Sequence, residues 1–398
     1  MSALPTIMID EATTERLDLY QRRALACGVA GLGISLGAWL VFPTNFYHGY
    51  LVGFLFWLAV ALGSIGLTLL HHLVGGSWGL MIRRPLEAGA TLVIPLAAFF
   101  LPLAVGVTTL YPWAHSPGRD EFHPPWLNVN FFLMRAVGYF AFWAGLAFVI
   151  NHWSTQQDSQ SDHVPSRRLG LIAGPMIFFM FMTVSFAAVD WGMSLDLGWT
   201  STIYGVLYIV GDILATLSSM IVVCTVLQRS GRMNEVVTAD RLHDIGKLML
   251  AFTMLWAYMS FSQFLITYSG NLTEEIPWYL RRSRGGWQFV VAALMMFHFF
   301  APFFMLLYRD GKRKTTYLVR VALWILAMRF VDLTWLIIPS TNDPASPRMQ
   351  LGEVFLAAAA VVGIGGICVW FYINRIKQRP LVPLNDSRLL AVLEHAGG

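Results

Sequence analysis

Charge and cysteine are scarce in this chain. Only 13% of its 398 residues are Asp, Glu, Lys or Arg, while 56% are hydrophobic. A soluble globular chain carries about 25% charged and about 45–50% apolar residues, so that class is excluded and an integral membrane protein is implied. The three cysteines, Cys27, Cys224 and Cys368, stand singly in apolar segments with no Cys-x-x-Cys spacing. Neither an iron-sulfur cluster nor a structural zinc is encoded by such a pattern, so any redox metal must belong to a partner. Basic patches interleaved with aromatics are also missing, which argues against nucleic acid. The net charge of +4 is better tested first as a topology signal. The first 23 residues have no basic residue before Arg16 and contain Asp10, Glu11, Glu15 and Asp18, unlike a cleaved signal peptide. Ala24-Leu25-Ala26-Cys27 faintly resembles a lipoprotein box, but its apolar run follows the cysteine, so the segment is expected to be the first membrane anchor.

Long apolar runs take the place of charge. A helix crosses roughly 30 Å of hydrocarbon with about 20 residues at 1.5 Å each. Ten segments qualify, near 24–42, 50–74, 86–110, 130–151, 169–190, 201–227, 246–268, 287–308, 317–338 and 352–374. Pro95, Pro102, Pro175 and Pro302 within them are tolerable because neighbouring helices can satisfy the freed carbonyls. Eighteen Lys and Arg fall in the tails and alternate connections, against five on the other side. This predicts cytoplasmic tails at 1–23 and 375–398. The whole chain, 1–398, reads as one membrane domain.

Layout repeats within it. Helices 2–5 (50–190) and 6–9 (201–338) each have a charged inner hinge before their second helix: Arg83, Arg84 and Glu87 in one, Asp240, Arg241, Asp244 and Lys247 in the other. Each has a Trp-bearing outer loop after that helix, with Pro112-Trp113 and Pro125-Trp126 matched by Pro277-Trp278. Two parallel-repeat four-helix bundles plus two peripheral helices are therefore expected in an all-α integral membrane fold.

An ionisable residue inside a membrane helix costs about 2.5–3.5 kcal/mol on insertion scales and needs a partner or a wet cavity. By that rule Asp212, with Tyr204 and Tyr208 on roughly the same side, and Arg329 with Asp332, three residues apart, are candidates for a proton path or quinone cavity. His298 in the middle of helix 8, and Arg135 and Asp190 near outer helix ends, join them. Arg329 and Asp332 could equally neutralise each other to lock the bundle. His71, His72, Glu87, His243, Asp244 and Lys247 could form a cytoplasmic entrance, His titrating near neutrality, or be ordinary charged helix ends. The stripe Trp256, Ser260, Gln263 and Thr267 shares one helix face that is expected to meet other helices, as channel lining or as hydrogen-bonding glue. The loop with Glu274, Glu275, Arg281, Arg282 and Arg284 runs against the charge rule, which suits partner docking or simple solvation. A bis-His haem needs two imidazoles at matching depth, and only His298 is clearly mid-helix.

The stretches GYLVGFLFWLAVALGSIGLTLLHHLVGGSWGLMIRRPLEA (49–88) and HDIGKLMLAFTMLWAYMSFSQFLITYSGNLTEEIPWYLRRSRGGW (243–287) resemble the polysulfide-reductase NrfD-type membrane subunits, and more closely the F-type membrane subunits of alternative complex III. That resemblance implies a quinol:electron-acceptor oxidoreductase of a bacterial inner membrane. Its expected partners are a paralogous ten-helix subunit holding the quinol site, periplasmic iron-sulfur and multihaem cytochrome c subunits, and membrane lipids. Menaquinone or another quinone is a candidate ligand, the iron-sulfur clusters and haem c lie in partner subunits, and no metal is expected in this chain. A structural anchor for the extrinsic subunits, or a secondary transporter with parallel repeats, is the alternative.

Overall fold

The computed structural model describes residues 9–114, 126–159, 164–228, 233–341 and 348–383. Pro125 of one expected outer loop, the chain ends 1–8 and 384–398, and Arg119, Arg229, Arg232 and Arg388 of the charge count lie outside them. Ten helices among the described residues are long and apolar enough to cross a membrane: α1 (Glu11–Val41), α2 (Pro43–Val74), α3 (Ser77–Val105), α4 (Val129–Ser159), α5 (Pro165–Leu195), α6 (Tyr204–Leu227), α7 (Ala239–Gly270), α8 (Trp287–Leu307), α9 (Thr315–Ser340) and α10 (Leu351–Lys377). No strand occurs among the described residues.

Several helices outrun their apolar runs because capping, not hydropathy, sets their ends. Asp10 accepts from the Thr13 N–H at 2.8 Å and starts α1 well before residue 24. Thr238 caps α7, so Asp240, Arg241, Asp244 and Lys247 occupy its opening turns. They form no hinge. The other expected hinge is corrected in the same way. The chain turns at Gly75 and Gly76, whose φ values of 78° and 101° suit glycine, and Arg83, Arg84 and Glu87 then lie inside α3, all buried. Prolines leave local marks. α3 breaks briefly around Thr91–Leu92 and Phe100, beside Pro95 and Pro102. In α8 the residues Leu294–Phe300 form a π-helical stretch just before Pro302, which cannot donate to a preceding carbonyl.

α2 and α6 form the centre. α2 is buried along most of its length, which is why its sequence is apolar all round. It packs against α3, α5, α6, α9 and α10, and α6 packs against α2, α5, α7 and α9. The pairings α2 with α5, α2 with α3 and α4 with α5 recur as α6 with α9, α6 with α7 and α8 with α9. The halves are not separate bodies. At their join, a Cβ on Gly63 would stand 2.6 Å from the Asp212 carbonyl oxygen, and the Thr216 hydroxyl is within 3.3 Å of the Ala59 and Val60 carbonyls, to which it donates.

α1 lies outermost and pairs with α10. Gly28 and Gly31 meet Gly363 and Gly366 backbone to backbone; a Cβ on Gly31 would come within 2.7 Å of the Gly363 nitrogen. Small residues that let helices touch in this way supply dispersion contact where lipid offers no hydrophobic drive. The start of α1 and the end of α10 share one face: Lys377 pairs with Asp18, and the Gln21 amide donates to the Trp370 carbonyl at 3.1 Å. This is called the tail face below, and the face of the α7–α8 connection the loop face. A Gly31→Val variant is expected to lose about 1–3 kcal/mol through overpacking, while Gly33→Val, where a Cβ meets open space, should melt like the parent; thermal unfolding of the two variants in detergent tests the pairing.

Candidate functional site

Two helices bring charge together in the interior. Arg329 and Asp332 lie on one face of α9, and the Arg329 guanidinium donates to the Asp332 carboxylate. It also reaches Asp212 of α6 at 3.4 Å, so one guanidinium serves two carboxylates from different helices. All three are buried. Gly211 makes this approach possible, since any Cβ there would collide with the guanidinium. The cluster lies two turns or so from the loop-face ends of α6 and α9, about 12 Å deep at 1.5 Å per residue. From α7, the Trp256 indole donates to Asp332 at 3.3 Å. The His298 ring of α8 stands edge-on to that indole, 4.3 Å between centroids. Among the described residues neither ring nitrogen of His298, which is fully buried, has a hydrogen-bond partner. His298 lies within the π-helical stretch.

Hydroxyls continue the cluster toward the loop face. The Tyr208 ring lies 5.9 Å from the Arg329 guanidinium, and the Tyr208 and Tyr204 hydroxyls are 3.4 Å apart. Gly192 leaves them room, since a Cβ there would be 2.7 Å and 2.8 Å from the two oxygens. Beyond Tyr204, the Trp199 and Trp278 rings stack at 4.3 Å. Asp196 lies at this level, paired with Arg281 and 3.7 Å from Arg282. The expected docking loop therefore divides. Glu274 and Arg284 are exposed and Glu275 half-buried, but Arg281 and Arg282 turn inward. Arg282 is fully buried over the Trp278 ring at 3.6 Å and donates to the Leu336 carbonyl at 2.8 Å and to the Ser340 hydroxyl. Burial lowers its pKa, and Asp196 opposes that shift. It is unavailable as a docking residue in this structure.

The stripe on α7 faces its neighbours. Trp256 joins the cluster, Gln263 accepts from the Ser201 hydroxyl, and its amide donates to Thr267 at 3.4 Å.

The other candidates form separate groups. Arg135 holds Asp190 with two bonds of 2.8 Å and 2.7 Å. The Trp126 indole and the Tyr139 hydroxyl donate to the same carboxylate, each at 2.9 Å. This carboxylate has its full complement of donors and reads as a clamp between α4 and α5. The expected tail-face group is split into three. Glu87 accepts from Arg83 at 2.9 Å, Arg84 at 2.7 Å and Ser154 at 2.6 Å. The His71 and His72 rings are 5.6 Å apart, His71 against Trp78. Lys247 donates to Asp244 at 3.1 Å near the surface, one residue from His243.

Sequence reasoning missed two partners. His48 Nδ1 lies 3.1 Å from Glu353 at the start of α10, both buried. Asp196, just after α5, is buried and paired with Arg281. Nothing in local sequence marks either; only the fold brings their partners near.

Fold and burial define an all-α multi-pass membrane protein whose interior holds a buried Asp–Arg–Asp cluster. The chain matches no protein-family model and no curated protein sequence. No group of three or more His, Cys, Asp or Glu among the described residues could hold a metal ion.

Breaking a buried ion pair from one side costs about 3–5 kcal/mol because it strands the other charge. Arg329→Met, which strands two, is therefore expected to be among the most destabilising substitutions in the chain, and adding Asp212→Asn should recover part of the loss. Thermal melts of the single and double variants check this.

Proposed function

We propose that this chain is a membrane subunit of a quinol-oxidising respiratory complex, and that its Asp212–Arg329–Asp332 cluster is a proton-exchange site. One observation carries the proposal: two buried carboxylates share one guanidinium. Unless a proton is held there, the group carries an uncompensated negative charge away from water, which is expensive. Asp212 is the better candidate for exchange. Its contact with Arg329 is the longer one, and its side chain is 8% exposed against 1% for Asp332. Tyr208 and Tyr204 supply hydroxyls that can pass a proton toward Asp196 and the loop face, and His298 lies on the inner flank of the same cluster.

The resemblance of 49–88 and 243–287 supports the assignment to a respiratory complex. The excess of Lys and Arg at the tail face supports a cytoplasmic position for that face; in this reading the loop face lies on the periplasmic side of a bacterial inner membrane. Glu274, Glu275 and Arg284 then remain as the charged part of the 7–8 connection available to iron-sulfur and cytochrome c subunits. Trp199 and Trp278 pack beyond Tyr204, which favours a proton path over a quinone pocket at this site. In this proposal menaquinol or another quinol is oxidised to its quinone in a partner subunit.

A structural anchor is the second reading, favoured by the fully satisfied Asp190 and by the buried Arg282. The two readings separate in the intact complex reconstituted in liposomes. Asp212→Asn is expected to slow proton release by about a hundredfold, the lower end of what a positioned proton-transfer group contributes. Asp332→Asn should act in the same direction. Wild-type quinol oxidation and proton release in both variants would remove the cluster from the mechanism and leave the anchor.

A further inference from the structure

At the tail face, far from the charged cluster, α3, α4 and the end of α10 enclose a cavity of about 360 Å³. Its two ends differ in chemistry. One is lined by Arg84, Arg375 and Arg379, the other by Ile94 and Phe148, which are 51% and 68% exposed. Along α3 the exposed surface continues apolar through Leu101 and Val105. In a membrane helix such residues face acyl chains. The arginines lie where a helix ends and headgroups begin.

The charge there is unbalanced. Arg84 is already engaged by Glu87 and Asp158, and Glu87, which also lines the cavity, is held by Arg83 and Arg84. Arg375 and Arg379 make no ion pair among the described residues. Arg375 lies 5.2 Å from the Phe371 ring, and Arg379 donates to neutral oxygens of Asn151, 2.9 Å to the side chain and 3.5 Å to the carbonyl. Both are half-buried. Burial lowers the pKa of Arg379, with Arg84 and Arg375 adding to the shift and Glu87 and Asp158 opposing it. An anion seated between the two guanidinia would relieve that cost.

We infer that this cavity binds the headgroup of an anionic phospholipid, its phosphate between Arg375 and Arg379 and its acyl chains along Ile94, Phe148 and Leu101. Basic pockets between membrane helices recognise such headgroups through charge-assisted hydrogen bonds to phosphate oxygens. A quinone, being neutral, leaves both guanidinia uncompensated.

The test is native mass spectrometry of the purified protein in neutral detergent, titrated separately with phosphatidylglycerol, phosphatidylcholine and a long-chain quinone. Phosphatidylglycerol should be retained at least about tenfold more tightly than phosphatidylcholine. The double variant Arg375→Gln/Arg379→Gln should lose most of that preference. Thr155→Trp, which adds bulk at an exposed lining position without touching charge, should weaken binding with an unchanged melting temperature. Arg167→Gln/Arg168→Gln, exposed arginines on α5 at the same face, should bind like the parent. Equal retention of the two lipids, equal loss in the α5 variant, unaltered binding in both cavity variants, or displacement of the lipid by quinone would each overturn the assignment.

Discussion

A charge buried among membrane helices has to find its counter-charge on the protein, because neither water nor lipid will supply it. Much of this chain's architecture follows from that constraint. Arg329 of α9 meets Asp212 of α6, Arg135 of α4 meets Asp190 of α5, and Arg84 of α3 meets Asp158 of α4. Each pair joins two helices, and each fixes rotation and depth at once, since a shift of one residue would separate the partners. Arg282 does the same from a connection, reaching Leu336 and Ser340 of α9. Dispersion between small residues does the remaining work where α1 meets α10 and α2 meets α6.

The pairs are not equivalent. Asp190 accepts from Arg135, Trp126 and Tyr139 and has no capacity to spare, as a rigid clamp requires. Around Arg329 the count is different, with two acids, one base and an imidazole whose nitrogens have no partner among the described residues. Imbalance of this kind is costly if it serves only to hold helices, and useful where protons move. The π-helical stretch that carries His298 and the glycine at 211, where a Cβ would meet the Arg329 guanidinium, both border the same cluster.

Legibility differed from residue to residue. Arg329 and Asp332 could be paired from their spacing on one helix. Asp212 could be picked out as a buried acid, but its partner could not, because no basic residue lies near it on α6 and Arg329 is more than a hundred positions away. The inward face of the α7 stripe was readable from periodicity, whereas the bond from Trp256 to Asp332 was not. Arg83, Arg84 and Glu87 resembled a hinge because charge usually marks a helix end; in the fold both arginines share Glu87 inside α3, and Ser154, Gln157 and Asp158 of α4 complete the group. Arg281 and Arg282 resembled exposed loop cations for the same reason.

The sequence by itself determined the all-α membrane-spanning class, the ten crossings and the helices that carry buried charge, because hydropathy and helical periodicity are local properties that a bilayer-length window captures. Only the tertiary structure decided which charges meet, which arginines turn inward and where a basic cavity opens beside α10. Those outcomes depend on lateral packing and relative rotation of helices distant in the chain, and no local pattern encodes either.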